Sequence, residues 1–348
     1  MKKKSVILNF KPKDLVKKIL ATLSDRAQDV VVKRYGLGKN STPLTLEAIG
    51  SEYGITRERV RQIENFSLNT IRKSDVFSAL ISPLNELKEL IADHGGVVHE
   101  QMFLNEISDD QLTKNQIHFL LVLSESFVKL KENNDFHHRW TIDEDIALKV
   151  ENALKKIIST ISTTDLISEN DLIQTLLLEI KDLAEETALN NEILAKKWLG
   201  ISKLINQNPL GEWGLTKSPN IHMRGIRDYA YLVLRSHGSP MHFEEVAKNI
   251  SKLFNRNAHP ATCHNELIKD SRFVLVGRGL YALTEWGYKP GIVIDVISDI
   301  LKKEGPLARE EIIAKVLKER HVKENTILVN LQNPNLFRRD NSGRYTLA

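Results

Sequence analysis

At 348 residues the chain is longer than one ordinary domain, so two or more small hydrophobic cores are expected. A hydrophobic fraction of 41%, a charged fraction of 27% and an aromatic fraction of 6% exclude a disordered or membrane-embedded protein. The single cysteine, Cys263, excludes an intrachain disulfide and fits a reducing compartment, so a cytoplasmic protein is predicted.

The N-terminal segment and the distribution of charge give two further expectations. Three lysines precede the apolar run Val6-Ile7-Leu8. This run is far shorter than the roughly 7–15 apolar residues of a secretion signal, so neither export nor membrane contact is predicted. The net charge of +4 is unevenly distributed, because residues 1–75 and 221–348 are basic and residues 76–220 are acidic. Basic ends indicate that the ends of the chain meet a polyanion, although charge also serves solubility.

Residues 45–64, TLEAIGSEYGITRERVRQIE, predict two short amphipathic helices joined by a tight turn. The apolar side chains of the first helix recur at helical spacing, at Leu46, Ile49 and Tyr53. Gly54 interrupts this helix, and Thr56 is suited to cap a second helix that begins at Arg57. This arrangement is typical of a helix-turn-helix.

The second helix is predicted to have one apolar and one polar face. With about 100° per residue, Val60, Ile63 and Ser67 point inward, and the outward arc holds Arg57, Glu58, Arg61, Gln62 and Asn65. A helix-turn-helix places such a face in the DNA major groove, where arginine suits guanine, glutamine suits adenine and glutamate suits cytosine. Arg59 lies away from the centre of this arc, so a phosphate or an ion-pair partner is expected for it. The alternative is a solvated helix held by pairs of Glu58 with Arg61 or Gln62.

This segment, with LSDRAQDVVVKRYGLG before it at residues 23–38 and NTIRKS after it at residues 69–74, closely resembles region four of bacterial sigma factors. The resemblance spans about residues 15–75. It implies recognition of the promoter −35 element and docking on the flap of RNA polymerase, through a surface around residues 23–35. By position, it implies a base-reading set of Arg57, Glu58, Arg61 and Gln62. Backbone contacts or supports are implied for Thr45, Leu46 and Arg59.

The chain also departs from that family. No other segment resembles region two, which reads and melts the −10 element, or the helix that binds the polymerase clamp. We therefore expect that the chain is not a complete sigma factor. Unpaired bases are captured mainly by aromatic faces, and both Tyr53 and Phe66 are expected to pack in or beside the helix-turn-helix.

Four later segments end alike, with an aromatic residue followed two positions later by isoleucine or leucine. The endings are RWTI, EWGL, LYAL and RYTL, and their aromatic residues are Trp140, Trp213, Tyr281 and Tyr345. This recurrence predicts repeated small domains with these aromatic side chains in their cores. Partner strands are predicted from Phe127, Phe273 and Leu336, and the helices before each hairpin complete a winged-helix organisation. The second repeat is the weakest copy because its partner strand is unclear.

The third repeat, residues 226–286, carries GSPMHFEEVAKNI followed by SRFVLVGRGLYALTEWG. These segments resemble the HARE type of winged helix-turn-helix, found in the delta subunit of bacterial RNA polymerase, in chromatin regulators and beside restriction enzymes. The resemblance implies association with nucleic acid or with the transcription machinery. Arg278 lies between two glycines at the predicted hairpin tip and is a candidate DNA contact, with a solvated side chain as the alternative.

Three patterns that would indicate other chemistry are discounted. GLGKNST at residues 36–42 lacks the serine or threonine that must follow the lysine of a phosphate-binding loop. His259, Cys263 and His264 diverge on a helix and lack a second ligand pair, so no metal is expected and Cys263 is assigned to the core. No acid, base and nucleophile can be singled out, so neither catalysis nor a cofactor is predicted.

The predicted fold class is mainly α, with an N-terminal helix-turn-helix followed by tandem winged-helix units with small β-hairpins. The expected domains are the sigma-like helix-turn-helix at 1–76 and winged-helix units at 77–146, 147–220 (degenerate), 221–289 (HARE type) and 290–348. The predicted function is sequence-specific DNA binding that regulates transcription, with double-stranded DNA and the RNA polymerase core as partners, in the cytoplasm at the nucleoid. The alternatives are a delta-like polymerase accessory subunit that acts by protein interaction, or the DNA-targeting subunit of a restriction or repair system.

Overall fold

Helices dominate the architecture, as the sequence predicts. A computed structural model of the protein describes residues 7–181, 192–288 and 291–348. The lysines and Val6 used in the export prediction lie outside these residues. Small antiparallel sheets of two or three strands accompany the helices, so the mainly α fold class is confirmed. Within the described residues, no helix is both long enough and apolar enough to cross a membrane.

The chain divides into two compact units. The N-terminal unit consists of Met1–Gln207 with Gly211–Thr216, and the C-terminal unit consists of Asn208–Leu210 with Lys217–Ala348. The helix-turn-helix and the first two repeats belong to the N-terminal unit, and the last two repeats belong to the C-terminal unit.

Five helices of the N-terminal unit precede its first sheet. They are α1 (Pro12–Leu20), α2 (Asp25–Tyr35), α3 (Leu46–Tyr53), α4 (Arg57–Arg72) and α5 (Ile81–Asp93), with a 3₁₀ helix (Asp75–Leu80) between the last two. The side chains of Thr45 and Thr56 cap α3 and α4 by accepting hydrogen bonds from backbone amides of the first turns. Gly54 ends α3 in the left-handed conformation, with φ of +62°, which favours glycine. Both helices of the predicted helix-turn-helix therefore form.

The first repeat combines helices with a three-stranded antiparallel sheet. After α5 its elements are β1 (Val97–His99), α6 (Glu100–Ile107), α7 (Gln111–Leu123), β2 (Val128–Leu130) and β3 (Arg139–Thr141). β3 lies between β1 and β2 and is antiparallel to both, so Trp140 is opposite Val98 on one side and Lys129 on the other. The partner strand predicted from Phe127 is therefore β2.

The second repeat contains a strand that the sequence left unclear. Its elements are α8 (Glu144–Thr160), α9 (Glu169–Glu179), α10 (Glu192–Leu199), β4 (Ile205–Gln207) and β5 (Trp213–Leu215). β4 pairs antiparallel with β5, and Ile205 lies opposite Leu215. Ile205 is buried whereas the next two residues of β4 are exposed, so the strand lacks the apolar alternation that marks strands in a sequence.

The C-terminal unit contains the last two repeats. The third repeat has α11 (Ile226–His237), β6 (Met241–His242), α12 (Phe243–Phe254), α13 (Pro260–Lys269), β7 (Phe273–Gly277), β8 (Leu280–Leu283) and a 3₁₀ helix (Thr284–Trp286). The fourth has α14 (Val293–Glu304), α15 (Arg309–Glu319), α16 (Glu324–Leu331), β9 (Phe337–Arg339) and β10 (Tyr345–Leu347). β8 pairs with both β6 and β7, β9 pairs with β10, and Leu307 forms an isolated bridge to Tyr345.

The aromatic residues that close the four repeats are core residues. All four are buried within their sheets: Trp140, Trp213, Tyr281 and Tyr345. Cys263 of α13 is also fully buried, as predicted, and burial raises the pKa of its thiol to about 12. These side chains therefore stabilise the repeats and are not exposed for binding.

One hydrophobic core joins the helix-turn-helix segment to the first repeat. It includes side chains from α1, α2, α4, α7 and β3, namely Val16, Tyr35, Ile71, Phe119 and Trp140. Polar contacts follow the same junction: Asn115 of α7 donates hydrogen bonds to the carbonyl oxygens of Gly36 (2.9 Å) and Ser41 (2.7 Å). Arg72, at the end of α4, donates to the last carbonyl groups of α7. These contacts fix α2 and α4 relative to α7.

Candidate nucleic-acid interface

The helix-turn-helix is built on a small apolar core of its own. Val30, Ile49 and Val60, from α2, α3 and α4, are fully buried against one another. The turn is tight because a Cβ atom at Gly50 would lie 2.7 Å from the carbonyl oxygen of Ile55. This close approach sets the crossing of α3 and α4.

The opposite face of α4 is polar and exposed, as predicted. The exposed side chains on this face are Arg57, Glu58, Arg61, Gln62 and Asn65. Val60 and Ser67, which were predicted to point inward, are buried. The structure therefore brings the four expected base-reading side chains together on the first two turns of α4.

The three remaining residues of the predicted N-terminal set are Arg59 on α4 and Thr45 and Leu46 at the start of α3. Arg59 is exposed, and its Nη1 donates a hydrogen bond to Oε1 of Gln62 (3.0 Å), so it reaches the edge of the outward arc. Thr45 is exposed, and its hydroxyl accepts from the amide of Ala48 (3.1 Å). Leu46 is partly buried against the helix-turn-helix core. Arg59 and Thr45 are thus accessible to a ligand, whereas Leu46 supports the fold.

Glu58 and Arg61 form a bidentate ion pair on the exposed face. Arg61 donates from Nη2 to Oε1 of Glu58 at 2.7 Å and from Nε to Oε2 at 2.8 Å. The hydrogen bond from Arg61 lowers the pKa of the Glu58 carboxyl, and Glu58 raises the pKa of Arg61. Exposed ion pairs contribute little to stability, so Glu58 and Arg61 can give up this contact and bind base edges instead. The same pair is the one expected of a solvated charged helix.

A buried carboxylate holds α4 against α2. Glu64 of α4 is only 8% exposed, and its Oε1 accepts hydrogen bonds from the hydroxyl of Tyr35 (2.7 Å) and Nε of Arg34 (3.3 Å). Arg34 also donates to the carbonyl oxygen of Leu44, in the loop before α3. Burial and the Glu64 charge raise the pKa of the Tyr35 phenol, so it stays a donor. The sequence does not mark Glu64 as buried, although it follows Val60 by four positions on the same face of α4.

A second polar cluster joins α2 to α3. Tyr53 donates a hydrogen bond to Asp29, and this bond lowers the pKa of the Asp29 carboxyl. Lys33 pairs with Asp29 (3.0 Å) and with Glu52 (2.7 Å), and its ammonium lies 4.9 Å from the centre of the Tyr53 ring. Tyr53 therefore packs beside the motif, as predicted.

The expectation that Phe66 packs in the same way is wrong. Phe66 is 71% exposed, because it lies on the solvent side of α4, one residue before the buried Ser67. It borders a groove between α4 and the start of α2, lined also by Ser24, Arg26, Ala27, Arg59, Gln62 and Ile63. The groove therefore exposes an aromatic ring beside the guanidinium groups of Arg26 and Arg59.

Arg278 belongs to the C-terminal unit. It is exposed at the tip of the β7–β8 hairpin, between Gly277 and Gly279, as predicted. Its position on a wing makes it accessible to a polyanion.

The residues discounted as metal ligands have structural roles. Nδ1 of His259 accepts a hydrogen bond from the amide of Ala261 at the start of α13, and Cys263 is in the core. Among the residues that the structure describes, no group of three or more histidine, cysteine, aspartate or glutamate side chains could hold a metal ion.

Comparison with known families agrees with these geometries. Residues 19–73 match the family model of sigma-70 region 4. Residues 226–286 match the model of the HARE-HTH family, the helix-turn-helix domain whose description includes restriction endonucleases. Both resemblances inferred from the sequence are thus confirmed, and both families are DNA-binding and non-enzymatic.

A curated relative matches at the N-terminal end. The RNA polymerase sigma factor RpoS of Coxiella burnetii (strain RSA 493 / Nine Mile phase I) is 43% identical to this chain over 67 residues. The match covers 19% of this chain and 19% of the relative, so the chain spans about a fifth of that factor's length. The similarity is therefore one of the region-four segment.

Proposed function

We propose that this protein is a sequence-specific DNA-binding regulator of transcription that reads a −35-like element with α4. The observation that carries the proposal is the exposed cluster of Arg57, Glu58, Arg61 and Gln62 on the second helix of a segment that matches sigma-70 region 4. The predicted location in the cytoplasm, at the nucleoid, follows from this function.

The side chains on α4 have complementary roles at base edges. Arg57 and Arg61 are suited to bidentate hydrogen bonds with O6 and N7 of guanine, and Gln62 to N6 and N7 of adenine. Glu58 is suited to accept from N4 of cytosine, either directly or while orienting Arg61. Arg59 and Thr45 are placed for phosphates, which fix the register of the helix without reading sequence.

The supports behind α4 favour a reading role because a base-reading helix must hold its orientation. The Thr56 cap fixes where α4 begins, the Glu64 cluster ties α4 to α2, and Arg72 ties its end to α7. Each support acts on the buried side or on an end of α4, so the polar face of α4 stays accessible to the DNA major groove.

Binding of the full-length protein to a −35-like duplex and to a scrambled duplex tests this function. Fluorescence anisotropy is expected to show that Arg57→Ala and Arg61→Ala each lose about 1–3 kcal/mol on the −35-like duplex and much less on the scrambled one. Arg309→Ala, an exposed arginine at the start of α15, is the matched control and is expected to bind like the wild type. Equal affinity of all four proteins for both duplexes would show that α4 does not read DNA.

Contact with the RNA polymerase core is the second part of the proposal. The groove at Phe66 supports it, since an exposed aromatic side chain beside Arg26 is suited to a protein helix with apolar and acidic residues. Capture of core polymerase by immobilised protein is expected to be lost in Phe66→Asp. It is expected to persist in Leu178→Asp, which alters an equally exposed apolar side chain on α9. If both variants capture polymerase, the groove is not the contact.

The match of residues 226–286 supports two other candidates, a polymerase accessory subunit that acts by protein interaction and a DNA-targeting subunit of a restriction or repair system. The first predicts polymerase binding by the C-terminal unit without any DNA preference. The second predicts a nuclease or methylase encoded by a neighbouring gene. Polymerase capture by a protein that carries Phe66→Asp, together with equal binding to all duplexes, would favour the accessory subunit.

A further inference from the structure

The C-terminal unit contains a cavity that shares one residue, Arg278, with the candidate DNA contacts. It has a volume of about 640 Å³ and lies between the β7–β8 hairpin of the third repeat and two segments of the fourth. Its lining comes from residues 275–278 and Leu280 of the hairpin, residues 291–293 before and at the start of α14, and residues 320–323 before α16 with Thr326 within it. Cavities of roughly 300–1,000 Å³ are typical of small-molecule sites.

The wall of the cavity is largely apolar. Its aliphatic side chains are those of Leu275, Val276, Leu280, Ile292, Val293 and Val322. Two of them are exposed beyond what their type favours, since Leu275 is 46% and Ile292 is 65% accessible to solvent. An apolar body placed between them would remove this surface from water, which is favourable through the hydrophobic effect.

The polar part of the lining has one sign of charge. Arg278, Arg320 and Lys323 contribute cationic side chains, and His321 adds an imidazole. No aspartate or glutamate is among the described residues that line the cavity. A concave site lined by one sign of charge concentrates ions of the other sign, so the cavity is suited to an anion.

Arg320 is the buried member of this set. It is 2% exposed, and it donates hydrogen bonds from Nη1 to the carbonyl oxygen of Glu319 (2.8 Å) and from Nη2 to that of Gly291 (3.3 Å). Burial lowers the pKa of its guanidinium because the charged form loses solvation, and the charges of Glu319 and Asp295 oppose this shift. A carboxylate is suited to Arg320 because guanidinium and carboxylate groups match in geometry.

The two sides of the cavity are held together by the backbone. The amide of His321 donates to the carbonyl oxygen of Val276 at 2.9 Å, so the segment before α16 runs beside the edge strand β7. The approach is close, because a Cβ atom at Gly277 would lie 2.6 Å from the carbonyl oxygen of His321. The cavity is therefore formed before any ligand arrives.

We propose that this cavity binds a small organic acid, a carboxylate on an apolar chain or ring. The carboxylate lies at Arg320, with Arg278 and Lys323 at the rim, and the apolar body lies between Leu275 and Ile292. The DNA backbone fits less well, because a phosphodiester chain offers nothing to cover the apolar wall. Such a ligand would bridge the third and fourth repeats.

Isothermal titration calorimetry of the full-length protein with decanoate tests the proposal. Acetate, which has the charge without the chain, and decanol, which has the chain without the charge, are the comparison probes. Decanoate is expected to bind at one site per chain. It is expected to bind at least about tenfold more tightly than acetate, which lacks the apolar contact, and than decanol, which lacks the charge contact. Equal affinity for decanoate and decanol, or no saturable binding of decanoate, would overturn the proposal.

A charge reversal localises the site. Ile292 occupies the N-cap position of α14, where aspartate is favoured, so Ile292→Asp keeps the helix while placing a negative charge in the cavity. This variant is expected to weaken decanoate binding at least about tenfold, because the new carboxylate repels the carboxylate of decanoate. Ile268→Asp, at an equally exposed position on α13 outside the cavity, is expected to bind like the wild type. If Ile292→Asp retains the wild-type affinity, or if Ile268→Asp loses it equally, decanoate binds elsewhere and the proposal is wrong.

Discussion

The polar face of α4 exposes Arg57, Glu58, Arg61 and Gln62, and Glu64 is buried on the other side of the helix, against α2. Helical spacing and the cap at Thr56 were enough to place Arg57, Glu58, Arg61 and Gln62 on one face. Glu64 was missed because glutamate is rarely buried, and its partners Tyr35 and Arg34 lie on another helix. No local pattern marks a contact between residues so far apart in the chain. Phe66 was misplaced for the opposite reason, since apolar side chains are assumed to be buried.

Gln62 tests base reading at a single position. Gln62→Ala removes a side chain suited to adenine, so it is expected to cost about 1–3 kcal/mol on the preferred duplex and to relax the base preference at one position only. Binding curves on the preferred duplex and on single-base variants measure this. Asn65→Ala, on the same face one turn further along α4, serves as the control. An equal loss on random DNA would show that Gln62 does not read a base.

A substitution of Glu64 tests whether its buried carboxylate holds α4 against α2. Glu64→Ala leaves the Tyr35 hydroxyl and the Arg34 guanidinium without their acceptor in a buried site, so a loss of about 1–3 kcal/mol in the free energy of unfolding is expected. Urea unfolding monitored by circular dichroism gives the value. Glu58→Ala removes an exposed carboxylate from the same helix and is expected to leave the free energy of unfolding nearly unchanged, because an exposed ion pair contributes little. Similar losses in the two variants would show that the Glu64 cluster does not hold α4.

Arg278 tests whether the wing of the third repeat reaches DNA. If its guanidinium neutralises one phosphate, Arg278→Ala should weaken binding to all duplexes alike and reduce the salt slope by about 1. Anisotropy titrations at several salt concentrations supply both numbers. An unchanged affinity with an unchanged slope would place this wing away from DNA.

At the scale of elements, the repeated strand endings predicted the architecture of the chain beyond the helix-turn-helix. The strands that close the repeats all form, and their aromatic residues are buried. The clearly predicted partner strands begin with or contain large apolar side chains. β4 escaped prediction because its exposed Asn206 and Gln207 resemble a loop. The core that α7 shares with α1, α2 and α4 could not be predicted either, since periodicity shows which face of a helix is buried but not its neighbour.

His118 on α7 gives this shared core a pH dependence. Burial and the nearby ammonium of Lys129, 3.0 Å away, lower its pKa to about 4, while the carboxylate of Glu100 opposes the shift. The folded-state pKa lies below the usual value of about 6.5, so the unfolded chain takes up the proton first and stability falls as the pH drops from about 6.5 to about 4. The free energy of unfolding therefore changes with pH in this range, and His118→Gln is expected to reduce that change by up to about 1.4 kcal/mol per pH unit.

Urea midpoints measured between pH 4 and 7 check this expectation. His99, whose pKa burial also lowers to about 4, should preserve part of the slope in the variant. The exposed His222→Gln is the control and should follow the wild-type profile. If the urea midpoint of His118→Gln depends on pH as that of the wild-type protein does, His118 is not a source of the pH dependence.

At the scale of the whole molecule, the chain combines a region-four-like segment with repeats of helices and small β-hairpins, one of which matches the HARE-HTH family. Bases unpaired during promoter opening are captured by aromatic faces. The aromatic residues that close the repeats are buried, so they are committed to packing. Phe66 is exposed on α4, but a single ring offers one stacking face. We therefore expect this chain, mixed with core RNA polymerase alone, to bind duplex promoter DNA and leave it closed.

Permanganate probing of thymines around the start site tests this expectation. A reaction with core enzyme and a complete sigma factor is the positive control and should give reactive thymines. Reactive thymines with core enzyme and this protein as the only factor would show that the chain opens promoters by itself.

Selection of duplexes from a random pool by the full-length protein tests the central claim, that α4 reads a DNA sequence, most directly. The wild-type protein is expected to enrich one motif that resembles a −35 element. The triple variant Arg57→Ala, Arg61→Ala, Gln62→Ala is expected to retain weak binding without enriching any motif, because phosphate contacts carry no sequence information. Enrichment of the same motif by the triple variant, or of no motif by the wild-type protein, would contradict the account.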